Sequence, residues 1–134
     1  MESNLIDKIA LLYIRDKKVL SSRSKGKDTF YFPGGKREGA ETDIETLTRE
    51  IKEEMNVDII PSSVSYYGTF EAQAHGKAEG IIVKMTCYTA DFDGDSIASN
   101  EIAELRWFGK EGAEISSPVD KLIYADLLHK GLIK

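Results

Sequence analysis

The sequence contains a single cysteine, Cys87, which excludes an intramolecular disulfide. It lies in the apolar run Ile81–Ala90, where we expect a buried, unreactive thiol. No run reaches the roughly 18 apolar residues of a membrane span. Met1–Asp7 is acidic and lacks a long apolar segment, which predicts that there is no signal peptide. These absences predict a cytoplasmic protein without a membrane partner.

An excess of positive charge is also missing. The chain has 18 Lys and Arg residues against 23 Asp and Glu residues, for a net charge of −5. A sequence-independent nucleic-acid binder needs a basic face, so we expect no nucleic-acid partner. A small anionic ligand stays compatible, because it needs only local cations or a bound metal. The length of 134 residues predicts one globular domain spanning residues 1–134.

The most informative stretch, Gly34–Val57, is typical of a glycine turn followed by an acidic helix. Thr42 or Asp43 can cap the helix, and Glu45 can complete a capping box with Thr42. Asn56 is suited to end it, because Asn tolerates the left-handed conformation. Apolar residues recur at helical spacing, at Ile44, Leu47, Ile51 and Met55.

Three carboxylates of this helix, those of Glu50, Glu53 and Glu54, share one arc at about 100° per residue. Like charges one turn apart repel each other and destabilise a helix. A divalent cation held by the carboxylates would offset the repulsion. An acidic face exposed to solvent is the alternative, and the carboxylates alone leave both open.

The spacing around these carboxylates resembles the signature of the Nudix hydrolase family, MutT-like members included. That signature is Gly, five residues, Glu, seven residues, then Arg-Glu-apolar-any-Glu-Glu-any-Gly-apolar. It is matched by Gly35, Glu41 and Arg49–Val57, so the box spans residues 35–57. Asn56 replaces the usual Gly, and both residue types accept positive φ. The resemblance implies an α/β/α sandwich with a mixed central sheet, the Nudix fold of the α/β (α+β) class.

The resemblance also implies a reaction, the attack of water on a diphosphate linkage. The substrate would be a nucleoside triphosphate or a nucleoside diphosphate linked to another group X. Mg²⁺, or Mn²⁺ in its place, would neutralise the phosphate oxygens. The implied metal ligands are the Gly35 carbonyl and the carboxylates of Glu50, Glu53, Glu54 and Glu101. The implied catalytic residues are Arg49, Glu50, Glu53 and Glu101.

Two of these roles have alternatives within the sequence. Arg49 is expected to pair with Glu41 or Glu53 and hold its rotamer, whereas an ordinary surface ion pair is the simpler interpretation. Glu101 sits where MutT-like members carry a further carboxylate, and Glu104 is its rival. Strand alternation puts Glu101 and Glu104 on opposite faces, so we expect only one, preferably Glu101, to reach the site.

Substrate contacts are predicted for four residues outside the box. Arg23 ends a strand and can meet phosphate, with an ordinary surface charge as the alternative. Phe32 can stack on a base, with a position in the core as the alternative. His75 lies in a glycine-containing loop, where it can bind phosphate or transfer a proton, whereas an exposed loop histidine is the simpler interpretation. Ser116 stands two residues before Pro118, where guanine-reading MutT relatives carry Asn. A hydroxyl is a shorter and less directional partner than an amide, which argues against guanine specificity.

The remaining pattern predicts strands around the acidic helix and a second helix near the C-terminus. Two of the strands should form a β-hairpin, Ile6–Ile14 with Val19–Ser22. The other predicted strands are Thr29–Phe32, Val57–Ile60, Val64–Ala74, Ile81–Phe92 in the sheet centre, and Ile102–Phe108. The last helix is predicted at Pro118–Leu128, with Val119, Leu122, Ile123 and Leu127 on its apolar face.

A second function class is a catalytically silent Nudix-fold module that binds a nucleotide as a sensor. The intact carboxylate cluster argues against it, since a sensor has no need of three mutually repelling charges. A phosphatase of another type is disfavoured because no Cys or Asp nucleophile motif is found. The resemblance further implies a small-molecule nucleotide as partner, and it allows a homodimer.

Overall fold

The computed structural model describes residues 4–134, so the first three residues of the predicted domain lie outside the described part. Two α-helices occur in this part, α1 (Asp43–Met55) and α2 (Pro118–His129), with 3₁₀ turns at Pro61–Ser63 and Lys110–Ile115. The strands are β1 (Leu5–Leu11), β2 (Ile14–Arg15), β3 (Lys18–Ser24), β4 (Phe30–Tyr31), β5 (Gly34–Lys36), β6 (Asp58–Ile59), β7 (Ser65–Gln73), β8 (Ile82–Thr89), β9 (Phe92–Asp93) and β10 (Ile102–Phe108).

The main sheet is mixed and has the order β5-β1-β8-β7. Strands β1 and β8 are parallel, while β5 and β7 run antiparallel to their neighbours. A second sheet has the order β10-β3-β2, with β4 paired to β3, and β6 and β9 form a short ribbon. The mixed sheet with helices on both sides confirms the predicted fold class, and β8 is central in its sheet as expected.

Strand β1 divides the core because its side chains alternate between the two faces of the sheet. Ile9 packs in the buried cluster that contains Leu47 of α1, and Ala10 packs in the cluster that contains Ile123 of α2. All four are fully buried. Burying one large aliphatic side chain stabilises the fold by about 1.5–3 kcal/mol. The two clusters therefore anchor α1 and α2 to opposite faces of one strand.

Helix α1 begins and ends as its sequence predicts. The Thr42 hydroxyl accepts a hydrogen bond from the Glu45 N–H, and the Glu45 carboxylate accepts one from the Thr42 N–H, which completes the capping box. Asn56 ends the helix with a left-handed φ of 56°. This local chemistry holds α1 in register with the glycine turn before it.

Two expectations are wrong in detail. The predicted hairpin of Ile6–Ile14 with Val19–Ser22 is present only at its turn end, where Ile14 of β2 pairs with Val19 of β3. The longer strand β1 pairs instead with β5 and β8 in the main sheet. Leu122 of α2 is 46% exposed and does not belong to the buried face.

Cys87 is fully buried, as expected, and burial raises its thiol pKa. Neither α-helix of the described residues has the length and apolar character of a transmembrane segment.

Candidate active site

Arg49 is the centre of an ion-pair network at the start of the site. Its guanidinium binds the Glu41 carboxylate through two hydrogen bonds, Nε to Oε2 at 2.7 Å and Nη2 to Oε1 at 3.0 Å. Its Nη1 donates to Glu50 Oε2 at 3.0 Å and lies 3.7 Å from Glu53 Oε1. The hydrogen bonds from Arg49 lower the pKa of Glu41 to about 2. Arg49 thus contacts two carboxylates at once, and of the two partners expected for it, Glu41 and Glu53, it binds Glu41 more closely.

The glycine turn before α1 brings backbone and carboxylates into close contact. The Gly34 N–H donates to Glu54 Oε1 at 3.1 Å. A Cβ added at Gly35 would lie 2.4 Å from the carboxyl carbon of Glu50, so a side chain at position 35 would displace that carboxylate. Strand β5 can therefore lie against the acidic arc of α1, with the Gly35 backbone facing Glu50.

Burial changes the acidity of two of these carboxyl groups. Glu54 is only 6% exposed, and burial raises its pKa to about 9, with the charges of Glu50 and Glu101 adding to the effect. Burial also raises the pKa of Glu50, although hydrogen bonding to Arg49 opposes this. Such crowded, partly desolvated carboxyl groups are typical of functional sites.

The remaining predicted carboxylates differ in their surroundings. Glu53 has a half-exposed side chain at the edge of the site. Glu101 precedes β10 and is close enough for its charge to raise the pKa of Glu54. Glu104 is held by Arg23, whose Nε donates to it at 2.8 Å, and by Arg106 at 3.0 Å. These pairings favour Glu101 over Glu104 as the further acidic group, and they direct the Arg23 side chain to Glu104.

The donor set is compatible with a divalent metal bound in an open site. Among the described residues, no three His, Cys, Asp or Glu side chains stand close enough to enclose a metal ion. Mg²⁺ usually takes one or two carboxylates and completes its octahedron with water and substrate phosphates, so an enclosing cage is not required. The Glu54 carboxylate and the Gly35 backbone line one cavity, and the cradle for the Glu50 carboxylate adjoins it.

Two adjoining cavities extend from this site. The carboxylate cavity, of about 200 Å³, is lined by Gly34, Gly35 and Glu54 together with Phe32. The apolar cavity, of about 240 Å³, has a wall of aliphatic side chains and a rim of basic ones. Its aliphatic residues include Ile6, Val83, Met85 and Val119, and its basic ones are Lys8, Lys36, His75 and Lys77. Lys8, Tyr31 and Met85 line both cavities, so one elongated ligand can occupy the two together.

The other predicted substrate residues are placed differently from one another. His75 lines the apolar cavity, with its Nε2 3.3 Å from the Thr29 hydroxyl. Phe32 is 3% exposed and packs in the core, although it also lines the carboxylate cavity. Ser116 is buried and donates to the Gly112 carbonyl at 2.6 Å, outside the residues that line the two cavities. Of these three, His75 has the setting that best suits ligand contact.

Sequence reasoning missed Lys8, Ser117 and Asp120. Lys8 lies inside the apolar strand β1, and burial lowers its pKa. Asp120 is fully buried, with Oδ2 accepting from the Phe32 N–H at 2.9 Å and Oδ1 without a hydrogen-bond partner in the described chain. Burial raises the pKa of Asp120 to about 7. A lysine inside an apolar strand could have been recognised from the sequence as a candidate functional residue. Asp120 could not, because an acidic residue is common in the first turn of a helix.

Replacing Asp120 by Asn should change how the free energy of unfolding depends on pH. An unfolded aspartate titrates near pH 4, whereas burial raises the pKa of Asp120 to about 7 in the folded protein. The folded state therefore holds the proton more tightly. This contribution to stability is fully present below about pH 4 and is lost as the pH rises through about 7. The difference between the folded and unfolded pKa values corresponds to roughly 4 kcal/mol of unfolding free energy.

Urea denaturation of the wild type and Asp120→Asn between pH 4 and 8 would measure this effect. As the pH rises, the unfolding free energy of Asp120→Asn should increase relative to that of the wild type. Asp126→Asn, on the same helix, is the matched control. Hydrogen bonding to Tyr67 lowers the pKa of Asp126, so its contribution to stability changes only below about pH 4, and the difference between this variant and the wild type should stay constant from pH 4 to 8. A difference between wild type and Asp120→Asn that stays constant over this pH range would contradict the prediction.

Comparison with known proteins agrees with this geometry. A family model described as the NUDIX domain matches residues 6–127. The structure resembles that of the E. coli ORF135 protein, with 25% identity, a TM-score of 0.74, and coverage of 93% of this chain and 89% of that chain. No curated protein matches the sequence.

Two further solved structures share the fold. A mutator MutT protein from Bacillus halodurans is 24% identical, with a TM-score of 0.70 and coverage of 92% of this chain and 82% of that chain. A UDP-X diphosphatase is 16% identical, with a TM-score of 0.67 and coverage of 98% of this chain and 66% of that chain. The family match covers most of the chain and includes the glycine turn, the acidic helix and β10. The chain therefore belongs to the Nudix hydrolase family.

Proposed function

We propose that the protein catalyses the Mg²⁺-dependent hydrolysis of a diphosphate linkage in a nucleoside triphosphate or a nucleoside diphosphate linked to a group X. One observation carries the proposal. The Gly35 backbone and the buried Glu54 carboxylate line the carboxylate cavity, and the Glu50 carboxylate lies directly against Gly35. Oxygen donors of this kind are those that Mg²⁺ prefers.

A bound Mg²⁺ would neutralise the charge of the diphosphate and lower the pKa of water. Gly35, Glu50, Glu53, Glu54 and Glu101 are the residues proposed to hold it. Mn²⁺ prefers the same oxygen ligands and is the alternative cation. Glu53 and Glu101 have solvent-exposed side chains, so they can turn towards a bound substrate.

The roles of the other residues follow from their contacts. Arg49 fixes the carboxylate of Glu50, so that the proton acceptor is held before the substrate binds. The Gly34 N–H fixes Glu54 in the same way. Burial raises the pKa of Glu50, which brings it closer to the range useful for accepting a proton from the attacking water near neutral pH.

The two cavities support a nucleotide as substrate. Their volumes, about 240 and 200 Å³, together fall within the range of roughly 300–1,000 Å³ that is typical of small-molecule sites. Lys36, Lys77 and His75 at the rim can meet phosphate oxygens, and apolar walls can hold a base. The structural resemblance to a UDP-X diphosphatase is a reason to include UDP-linked substrates in any test.

Incubation of the purified protein with nucleotides tests the proposal. The panel is nucleoside triphosphates, ADP-ribose, a UDP-sugar and a dinucleoside polyphosphate, each with Mg²⁺ or Mn²⁺ and with products resolved by ion-exchange chromatography. We expect cleavage of a diphosphate linkage that stops when EDTA removes the metal and returns when Mg²⁺ is added in excess.

The alternative function, a silent nucleotide sensor, gives a different result. A sensor would bind a nucleotide, as measured by isothermal titration calorimetry, without producing any cleavage product. Absence of turnover on the whole panel with both metals would overturn the hydrolase proposal.

A further inference from the structure

The C-terminal end of α1 is bound by the segment that leads into β10. Carbonyl groups at the end of a helix have no partner within the helix, so other groups must satisfy them. The Ile97 N–H donates to the Met55 carbonyl at 3.1 Å, and the Ser99 N–H donates to the Glu54 carbonyl at 3.0 Å. These backbone contacts fix the segment to the helix turn that carries the proposed metal ligands.

Asn100 makes a third contact with this helix end, through its side chain. Its Nδ2 donates to the Glu53 carbonyl at 2.7 Å. The residue has a left-handed backbone with a φ of 55°. Asn suits both demands, because it tolerates this conformation and its amide donates hydrogen bonds. Asn100 is exposed to solvent, so its hydrogen bond replaces one with water and adds little to the stability of the fold.

Glu101 follows Asn100 directly, and its backbone is also held from the other side. The Glu101 carbonyl accepts a hydrogen bond from the Lys25 N–H at 2.8 Å, in the loop after β3. Its side chain is exposed, yet its charge is close enough to raise the pKa of Glu54. The backbone of Glu101 is therefore fixed between α1 and this loop, with the carboxylate near the buried one of Glu54.

We propose that Asn100 is a positioning residue, which holds the backbone of Glu101 so that its carboxylate can reach a metal bound at Glu54. This inference rests on the proposed function, in which these two carboxylates bind Mg²⁺. A ligand that is held in place before the metal arrives loses less conformational freedom on binding. Groups that orient metal ligands typically contribute about 10-fold to 100-fold to metal affinity or activity.

Asn100→Gly tests the role of the amide. Gly also adopts a left-handed backbone, so the variant removes the hydrogen bond to Glu53 without adding strain. Mn²⁺ binding to the protein without nucleotide can be measured from the electron paramagnetic resonance signal of the free ion. We expect the Kd for Mn²⁺ to rise about tenfold, and kcat on a nucleotide that the wild type cleaves to fall about tenfold.

A double-mutant cycle with Glu101→Gln shows whether Asn100 acts through Glu101. In the Glu101→Gln background the carboxylate is already absent, so Asn100→Gly should change the Kd for Mn²⁺ and kcat by less than about twofold. A full tenfold effect in this background as well would overturn the inference, because it would mean that Asn100 acts independently of Glu101.

Ser63→Ala is the matched control. It removes another hydrogen bond from a side chain to a backbone carbonyl, that of Ile60 at 2.7 Å, in a turn that lines neither the carboxylate cavity nor the apolar cavity. This variant should keep the wild-type Kd for Mn²⁺ and the wild-type kcat. If Asn100→Gly likewise lowers only the Tm and leaves both values within about twofold, the contact is a helix cap and the inference is wrong.

The two measurements separate failure of this inference from failure of the proposed function. Mn²⁺ binding needs no substrate, so it can be measured whether or not the protein is a hydrolase. Binding that depends on Asn100 through Glu101, in a protein that cleaves no nucleotide, would support the inference and contradict the hydrolase activity. Hydrolysis with a Kd for Mn²⁺ and a kcat that do not depend on Asn100 would contradict this inference alone.

Discussion

Replacing Glu54 by Gln should lower kcat at saturating Mg²⁺ by at least about 100-fold. Gln has the same shape, and its carbonyl oxygen can still accept the hydrogen bond that Glu54 Oε1 accepts from the Gly34 N–H at 3.1 Å. The substitution therefore removes the carboxyl group that a bound Mg²⁺ would ionise and use as a ligand, while it leaves the packing unchanged. Loss of one charged ligand weakens stabilisation of the transition state, where the charge on the diphosphate is greatest.

The same variant should be at least as stable as the wild type at neutral pH. Burial raises the pKa of Glu54 to about 9, far above its value in the unfolded chain. The contribution of such a group to stability is present below about pH 4.5 and is lost as the pH rises through about 9. Gln has no carboxyl proton to lose, so thermal unfolding at pH 7.5 should give an equal or higher Tm.

Glu45→Gln, on the same helix, is the matched control. Gln can replace Glu in a capping box, and Glu45 contacts the Thr42 backbone at the helix start. This variant should keep a kcat close to that of the wild type. Wild-type turnover by Glu54→Gln at saturating Mg²⁺ would rule out the metal role assigned to Glu54.

Replacing Gly34 by Ala should lower the free energy of unfolding by more than about 3 kcal/mol. Gly34 has a φ of +145°, which residues with a Cβ rarely adopt. A Cβ there would lie 2.0 Å from the Ile9 carbonyl oxygen and 2.8 Å from Ala10 Cα. Both atoms are backbone of the central strand β1, so they cannot move away without disrupting the pairing with β5 and β8.

Gly39→Ala separates the steric effect from backbone strain. Gly39 also has a positive φ, +55°, but a Cβ there would have no atom of the described chain within 4 Å. We expect a loss of about 1–2 kcal/mol from the left-handed backbone alone. Urea denaturation of Gly34→Ala and Gly39→Ala measures the loss of unfolding free energy in each variant. Equal losses would show that the contact between Gly34 and β1 is not tight in solution.

Local sequence was sufficient for helix α1 and the carboxylates it carries. The capping box of Thr42 and Glu45 and the left-handed Asn56 are set by residues within one turn of each helix end, so they could be predicted correctly. Helical spacing likewise predicted that Glu50 and Glu54 share one side of α1. These features depend on 3.6 residues per turn and on neighbours in the chain.

Strand pairing could not be predicted in the same way. Ile6–Ile14 is followed by a polar turn and a second strand, a pattern typical of a hairpin, yet β1 pairs with β5 and β8. Parallel pairing of β1 with β8 joins residues more than 70 positions apart, such as Leu5 and Ile82. Such long-range pairing depends on burial of both faces of the strand in the folded protein, and this burial cannot be predicted from a local sequence pattern.

The sequence by itself determined the glycine turn, the acidic arc of α1 and the family to which they belong, because these depend on spacing along one short segment. Only the tertiary structure decided which other side chains meet that segment. It directed Glu104 to Arg23 and brought Lys8 and Ser117, 109 positions apart in the chain, to one apolar cavity. The reason is physical: a cavity is formed where β1, β8 and α2 pack together, and its lining depends on all three elements at once.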